Sequence, residues 1–310
     1  MKRRRTRGWG ALATSALSFA AVLAPATLLL SATSADAQQR IVHGARASAD
    51  ATIRIYNLTG STTVTGWDRD SVALVGTLEI GAGRLYIGGG PSAIKLGVEP
   101  QQGSTVPRAA HLEVRVPFGS VVWVKAADAS IEVDGVQGGL DLYSVSGDVS
   151  VRGAPATVRA ESMEGGISIH ARTPWARAKT ASGTIAVAGD VTDLAVTTVG
   201  GGVQVAASRQ ARARIESVTG EVVVTGRPTR GGAWEIETHS GAVTLALSSD
   251  TDAEITVHSF GAEVRSELGR IVSRRVDDLA GSELAIVAGA GGTSFTVRTF
   301  KGPVVIRAGS

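Results

Sequence analysis

Apolar and polar residues alternate with a period of two along residues 157–247, interrupted at regular intervals by glycine. Val158, Ala160 and Ser162 share one side of an extended segment, and after Gly165 the same side is taken by Ile167 and Ile169. The pattern returns as Ala176, Ala178, Thr180 then Ile185, Val187. It returns again as Ala213, Ile215, Ser217 then Val222, Val224, and as Trp234, Ile236, Thr238 then Val243, Leu245, Leu247. Alternate residues of a strand point to opposite faces. Each unit therefore predicts a strand, a tight corner, a second strand and a second corner. No helical periodicity competes with this after residue 37.

The corner carries a repeated motif, S/T-x-x-G. Its copies are Ser144–Gly147, Ser162–Gly165, Thr180–Gly183, Thr198–Gly201, Ser217–Gly220, Thr238–Gly241 and Thr299–Gly302, with Ser259–Ala262 replacing glycine by alanine. The eight final positions, glycine or alanine, step by 18, 18, 18, 19, 21, 21 and finally 40 residues, the last being about two units. Asn57–Gly60 and Ala127–Ser130 are degenerate earlier copies. A fixed period of this kind predicts stacked coils, because one unit cannot bury its apolar row alone. Ile169, Val187, Val205, Val224 and Leu245 are expected to stack on parallel strands, with the Ser/Thr hydroxyls forming an internal ladder that satisfies turn backbone groups. The glycine is expected to supply a backbone conformation that other residues resist. The fold class is therefore all-β: a single-chain parallel β-solenoid (β-helix) with coils of about 18–21 residues and an irregular N-terminal β cap.

The expected organisation has four parts. Residues 1–37 read as a signal peptide, with Lys2, Arg3, Arg4, Arg5 and Arg7 before an apolar stretch and an Ala35-Asp36-Ala37 cleavage signal; an uncleaved anchor is the alternative. Residues 38–125 form an N-terminal β segment capping the solenoid, 126–265 the regular coils, and 266–310 a terminal coil and C-terminal cap. The leader alters the charge picture. The chain has 31 basic and 28 acidic residues. Five of those bases and one acid lie in residues 1–37, so the remainder carries 26 against 27. That balance, with no run of five like charges after residue 37, argues against nucleic acid as a partner. Cysteine is absent, which removes disulfides and thiolate chemistry. No second apolar stretch is long enough to span a membrane.

The segment Ile53-Arg-Ile-Tyr-Asn-Leu-Thr-Gly60-Ser, followed by Val64-Thr-Gly-Trp-Asp68, resembles the start of the bacterial putative-adhesin β-strand repeat family, a domain of unknown function in exported proteins. The strand Leu112–Pro117, the S/T-x-x-G-x-V-x-V units and the ending Phe295–Gly302 match its style. The resemblance covers nearly all of residues 50–308. It implies a repeat fold and an adhesin-like role, and it supplies no catalytic residues.

Candidate chemistry is sparse. Nucleophile-elbow and phosphate-loop motifs are missing, and no two histidines form an H-x-x-x-H pair. His258 is expected one register from His239, over Glu237. Asp250, Asp252 and Glu254 stand at alternate positions in a corner, a weak calcium candidate. Outward residues of the first strands (Arg159, Glu161, Arg177, Lys179, Arg214, Glu216, Glu235, Glu237) alternate in sign, as on a soluble face. The second outward face carries Ala186, Ala188, Gln204, Ala206, Val223, Thr225, Thr244 and Ala246, small and uncharged, a possible contact strip. The expectation is an exported, adhesin-like binding or scaffold module of the cell envelope, non-catalytic and without cofactor. It would be periplasmic, or extracellular or at the cell surface, with an envelope, glycan or protein ligand. The alternatives are a polysaccharide-active β-helix lyase or hydrolase, and a periplasmic signalling or envelope-stress accessory.

Overall fold

The computed structural model describes residues 39–101, 103, 107–277 and 281–309. The expected signal peptide and its cleavage signal lie outside them. The described chain is all-β, and no helix in it is long and apolar enough to cross a membrane. Its first strands are β1 (Gln39–Arg46), β2 (Thr52–Trp67), β3 (Ser71–Leu78), β4 (Arg84–Gly90), β5 (Ala93–Glu99), β6 (Ala110–Pro117) and β7 (Val121–Asp134). Regular pairs follow: β8 (Gly139–Ser144) and β9 (Val149–Gly153), β10 (Thr157–Ser162) and β11 (Ile167–Ala171), β12 (Thr173–Lys179) and β13 (Ile185–Ala188), β14 (Val191–Thr198) and β15 (Val203–Ala207). Then come β16 (Arg212–Ser217) and β17 (Val222–Gly226), and β18 (Ala233–Thr238) and β19 (Val243–Ser248). The chain closes with β20 (Ala253–Ser259), β21 (Val264–Ser266), β22 (Arg270–Asp277), β23 (Gly281–Ala288), β24 (Thr293–Thr299) and β25 (Val304–Gly309).

Two parallel ladders run through the middle. One joins β8, β10, β12, β14, β16 and β18; the other joins β9, β11, β13, β15, β17 and β19. The expected stack Ile169–Val187–Val205–Val224–Leu245 is present in register. The inward rows of both ladders belong to one continuous buried cluster, which includes Val158, Ile215, Ile236, Val222 and Val243. Dispersion and hydrophobic burial act together in such a row, at about 25 cal/mol per Å² of apolar surface.

The sheet is mixed, and its ends differ from an all-parallel expectation. β3 pairs antiparallel with both β1 and β6, and β4 pairs antiparallel with β5. At the other end β23 is antiparallel to β20 and to β22. Strand order also departs from chain order. β2 lies between β7 on one side and β5 and β6 on the other. The final pair β24 and β25, expected to end the stack, instead occupies the slot between β18/β19 and β20/β21. Trp234 and Phe295 stack across that insertion, with ring centroids 5.4 Å apart. The chain skips one slot, folds back through an antiparallel pair and returns to fill it. The antiparallel ends cover ladder edges that would otherwise invite association. The outer strand β22 carries Arg270, Arg274 and Arg275 and a bulge at Ile271/Ser273, both of which discourage further pairing.

The corners explain the motif. Ser144, Ser162, Thr180 and Thr198 hydroxyls accept from the amides of Gly147, Gly165, Gly183 and Gly201 at 3.0, 3.0, 3.1 and 3.0 Å. Ser162 and Thr180 donate onward to the carbonyls of Gly147 and Gly165, both at 3.3 Å. In later coils Ser217, Thr238 and Thr299 donate to the carbonyls of Gly220, Gly241 and Gly302. The degenerate corner substitutes an amide: Asn57 Nδ2 donates to the Ala110 carbonyl at 2.9 Å.

The corner glycines are required for a different reason than backbone conformation. None of Gly147, Gly165, Gly183, Gly201, Gly220, Gly241 and Gly302 has positive φ. A Cβ on Gly165 would lie 2.2 Å from the Gly147 carbonyl oxygen, and one on Gly183 would lie 2.0 Å from that of Gly165. The series continues at 1.9 Å from Gly201 to Gly183 and ends at 1.9 Å from Gly302 to Gly241. Positive φ belongs to glycines at the second corner, such as Gly153, Gly189 and Gly226.

Two adjacent glycines, neither with positive φ, test the close approach by itself. Gly201→Ala drives a methyl into backbone and should lower stability by about 1–3 kcal/mol in urea denaturation. Gly200→Ala meets nothing nearer than the Thr219 hydroxyl at 3.6 Å and should stay within about 0.5 kcal/mol of wild type.

Candidate functional site

Because the register is uniform, outward side chains form straight rows. In the first ladder, the row nearest the corner runs Thr197, Glu216, Glu237, then Arg298 and His258, and reaches Glu283 on β23. Arg298 therefore stands between Glu237 and His258, so the expected contact of His258 over Glu237 is replaced. Beside this row lies a groove of about 870 Å³ that also contains Val199, Val218, His239, Phe260 and Phe300.

The charges at the groove hold one another. Arg214 Nε lies 2.6 Å from Glu216, and its Nη1 lies 3.1 Å from Glu235. Arg298 pairs with Glu235 and, at 3.0 Å, with Glu237. His258 Nδ1 is 3.8 Å from Glu283. The guanidinium pKa values of Arg214 and Arg298 are raised, first by hydrogen bonds to Glu216 and Glu235 respectively. Both groups are cationic at any working pH in either case, so the shift brings no pH switch.

The apolar wall is a ridge that sequence reasoning missed. It is built from the first x of each S/T-x-x-G motif: Val145, Met163, Ala181, Val199, Val218, His239, Phe300 and Phe260 in ladder order. Backbone hydrogen bonds tie the ridge positions between coils, as from Met163 N to Val145 O and from Ala181 N to Met163 O. The side chains stay exposed, with Met163 at 50% and Val199 at 54%. His239, Phe300 and Phe260 stack as three rings at 5.0 Å spacing and 9° between planes. The signal was visible in the motif: the position after the hydroxyl is apolar in most copies.

The second ladder places the expected contact strip in two adjacent outward rows. Ala186, Gln204, Val223 and Thr244 are consecutive in one; Ala188 belongs to the other, where Ala206, Thr225 and Ala246 are consecutive. Ala246 is buried and the other seven are partly or fully exposed. Val305 and Arg307 of β25 extend the rows, so the strip meets a positive charge at that end.

The three acids of the calcium candidate do not converge. Asp250 pairs with Arg227. Asp252 Oδ1 accepts from the Ala290 amide at 2.8 Å, holding the turn before β24, and Glu254 is exposed on β20. Among the described residues no group of three His, Cys, Asp or Glu side chains is arranged to hold a metal ion.

The N-terminal half of the first ladder has another composition. Its two central outward rows place Lys95, Arg54 and Trp123 in one, and Gly97, Tyr56, Lys125 and Tyr143 in the other. Tyr86 on β4 continues the second row beyond Gly97. Burial is the first cause of a raised Tyr86 pKa, followed by Tyr56 and Glu99, so its hydroxyl remains a proton donor.

No protein-family model matches the chain, and no curated protein sequence matches it. Several solved structures do. A "putative lipid binding protein" from Parabacteroides distasonis is 9% identical, with a TM-score of 0.49 over 86% of this chain and 96% of that one. A "putative adhesin" from Bacteroides fragilis is 9% identical, with a TM-score of 0.42 over 87% and 98%. A "putative cell adhesion protein" from Clostridium sporogenes is 9% identical, with a TM-score of 0.26 over 88% and 99%.

The ion pairs at the groove are exposed, and such pairs contribute little. Arg298→Met should reduce stability by less than about 1 kcal/mol, and the difference should vanish in about 1 M salt, where screening is nearly complete. Urea titrations at two salt concentrations measure both.

Proposed function

We propose that the chain is an exported, adhesin-like parallel β-solenoid with antiparallel ends, acting as a non-catalytic binding or scaffold module of the cell envelope. The observation that carries this reading is the ridge from Val145 to Phe260. Large apolar side chains are normally scattered on a surface, whereas here they form a row whose spacing the backbone fixes. A pre-ordered row loses little conformational entropy when a partner covers it. The uncharged strip around Val223 and Thr244 offers a second face of the same kind. The resemblance to exported repeat proteins and the basic, apolar start of the chain support an envelope location.

The test is sedimentation of the purified protein with bacterial cell-envelope fractions. Met163→Glu combined with Val218→Glu should reduce the bound fraction at least about tenfold, the effect of removing roughly 1.4 kcal/mol of contact. Val223→Lys with Thr244→Lys tests the strip separately. Unchanged sedimentation of both double variants would reject contact through either face.

A further inference from the structure

We infer that the outward face at the N-terminal end of the first ladder is a binding site for an acidic polysaccharide chain. The inference narrows the binding-module reading to one face and one ligand class, and it rests on that reading.

Aromatic residues are scarce in this chain, yet all three of its tyrosines, Tyr56, Tyr86 and Tyr143, stand in one outward row. Strands are about 4.8 Å apart, so successive rings are ~9.6 Å apart, with one strand between each pair. A cation occupies each interval. Between Tyr86 and Tyr56 the strand contributes Gly97, where a Cβ would lie 2.1 Å from the Tyr56 carbonyl. The Lys95 ammonium reaches over this gap and sits 4.9 Å from the Tyr56 ring and 5.9 Å from that of Tyr86. Between Tyr56 and Tyr143 the strand contributes Lys125. In the neighbouring row the Arg54 guanidinium lies 5.7 Å over the Trp123 ring, which is 40% exposed.

The charge is in positive excess here and in negative excess at the other end of the ladder. From β5 to β12 the two central rows hold six cations and two carboxylates, an excess of four positive charges. From β14 to β23 the same rows hold two arginines and four glutamates. Arg54, Lys95, Lys125, Arg177 and Lys179 pair with no carboxylate among the described residues, in contrast to Arg159 with Glu161 and the arginines at the C-terminal groove. A cleft of about 270 Å³ opens at the end of this face. Arg54, Lys95 and Tyr86 line it over the bare backbone of Gly88 and Gly89.

Flat rings offer apolar faces on which the C–H face of a sugar can lie, and interspersed cations match acidic groups carried at intervals along a chain. Single-stranded nucleic acid would also stack on rings beside cations. The two carboxylates decide between them. Asp141 is paired in register with Trp123 and Arg159, and Glu161 with Tyr143 and Lys179. Carboxylates there repel any anionic group but accept hydrogen bonds from hydroxyls, which a sugar chain carries on every unit and a DNA strand lacks along its length. A polymer bearing both acid groups and many hydroxyls satisfies the whole face.

Calorimetric titration of the purified protein with polygalacturonate, alginate, methyl-esterified polygalacturonate and an oligo-dT strand tests this. Polygalacturonate or alginate should bind, with affinity falling as salt rises. The methyl ester should bind at least about tenfold more weakly, and so should either acid on Lys95→Gln or Tyr56→Ala protein whose urea midpoint is retained. The Met163→Glu/Val218→Glu variant should keep full affinity for the acid polymer. The inference is overturned if neither acid polymer binds, if ester and acid bind equally, if oligo-dT binds more tightly than both acids, or if Lys95→Gln leaves binding intact. In each of those cases ridge-dependent envelope sedimentation would still stand, so the two readings fail separately.

Discussion

The close approach of corner backbones sets everything else in this molecule. The glycine of each regular coil lies so near the carbonyl of the preceding coil that a methyl group has no room, while the neighbouring hydroxyl holds the turn amide or carbonyl. One contact fixes the vertical spacing and the other fixes the corner. Together they remove the freedom to slip by one residue, which would turn every inward side chain outward. With register fixed at each corner, apolar rows meet inside and outward residues fall into straight rows outside. The proposed binding surfaces follow from a constraint that lies in the backbone.

The same constraint shows why the C-terminal strands sit where they do. Gly302 presents its open face to the Gly241 carbonyl, which a Cβ there would meet at 1.9 Å, continuing the glycine series, while the coil carrying Ala262 is displaced outward by one slot. Inserting β24 and β25 also brings Phe295 onto Trp234 and Arg298 between Glu237 and His258. A terminal segment is thereby held on both sides by parallel partners. The outermost positions go to antiparallel strands, one of them bulged and arginine-rich.

Much of this was legible in the sequence, and the limits have physical causes. Period-two alternation and the S/T-x-x-G spacing revealed the strands, the hydroxyl ladder and the stack from Ile169 to Leu245, because each depends on residues close in the chain or on a constant step. The step of 40 residues to Gly302 hinted at an interruption, but periodicity carries no information about which slot a strand enters. The role of the corner glycine is ambiguous in the sequence for a related reason: a tight turn and a tight stack both select glycine. The outward placement of the uncharged strip was legible because parity is local. The ridge occupies the variable first x of the motif, whose mixed residues (Val145, Met163, Ala181, His239) carry a weaker periodic signal than the hydroxyl and glycine on either side of it. The aromatic and cationic rows were hidden because Lys95, Tyr56 and Tyr143 come from three segments whose adjacency depends on β2 lying between β5 and β7.

Amide hydrogen exchange along the chain tests the central claim, that corner packing draws the C-terminal pair into the interior of the ladders. Amides of Phe295–Thr299 and Val304–Ile306 should fall in the slowest class, with those of β18 and β19, while β22 exchanges faster although it precedes them in sequence. Rapid exchange of β24 and β25 alongside protection of β20 and β21 against β18 and β19 would contradict the account.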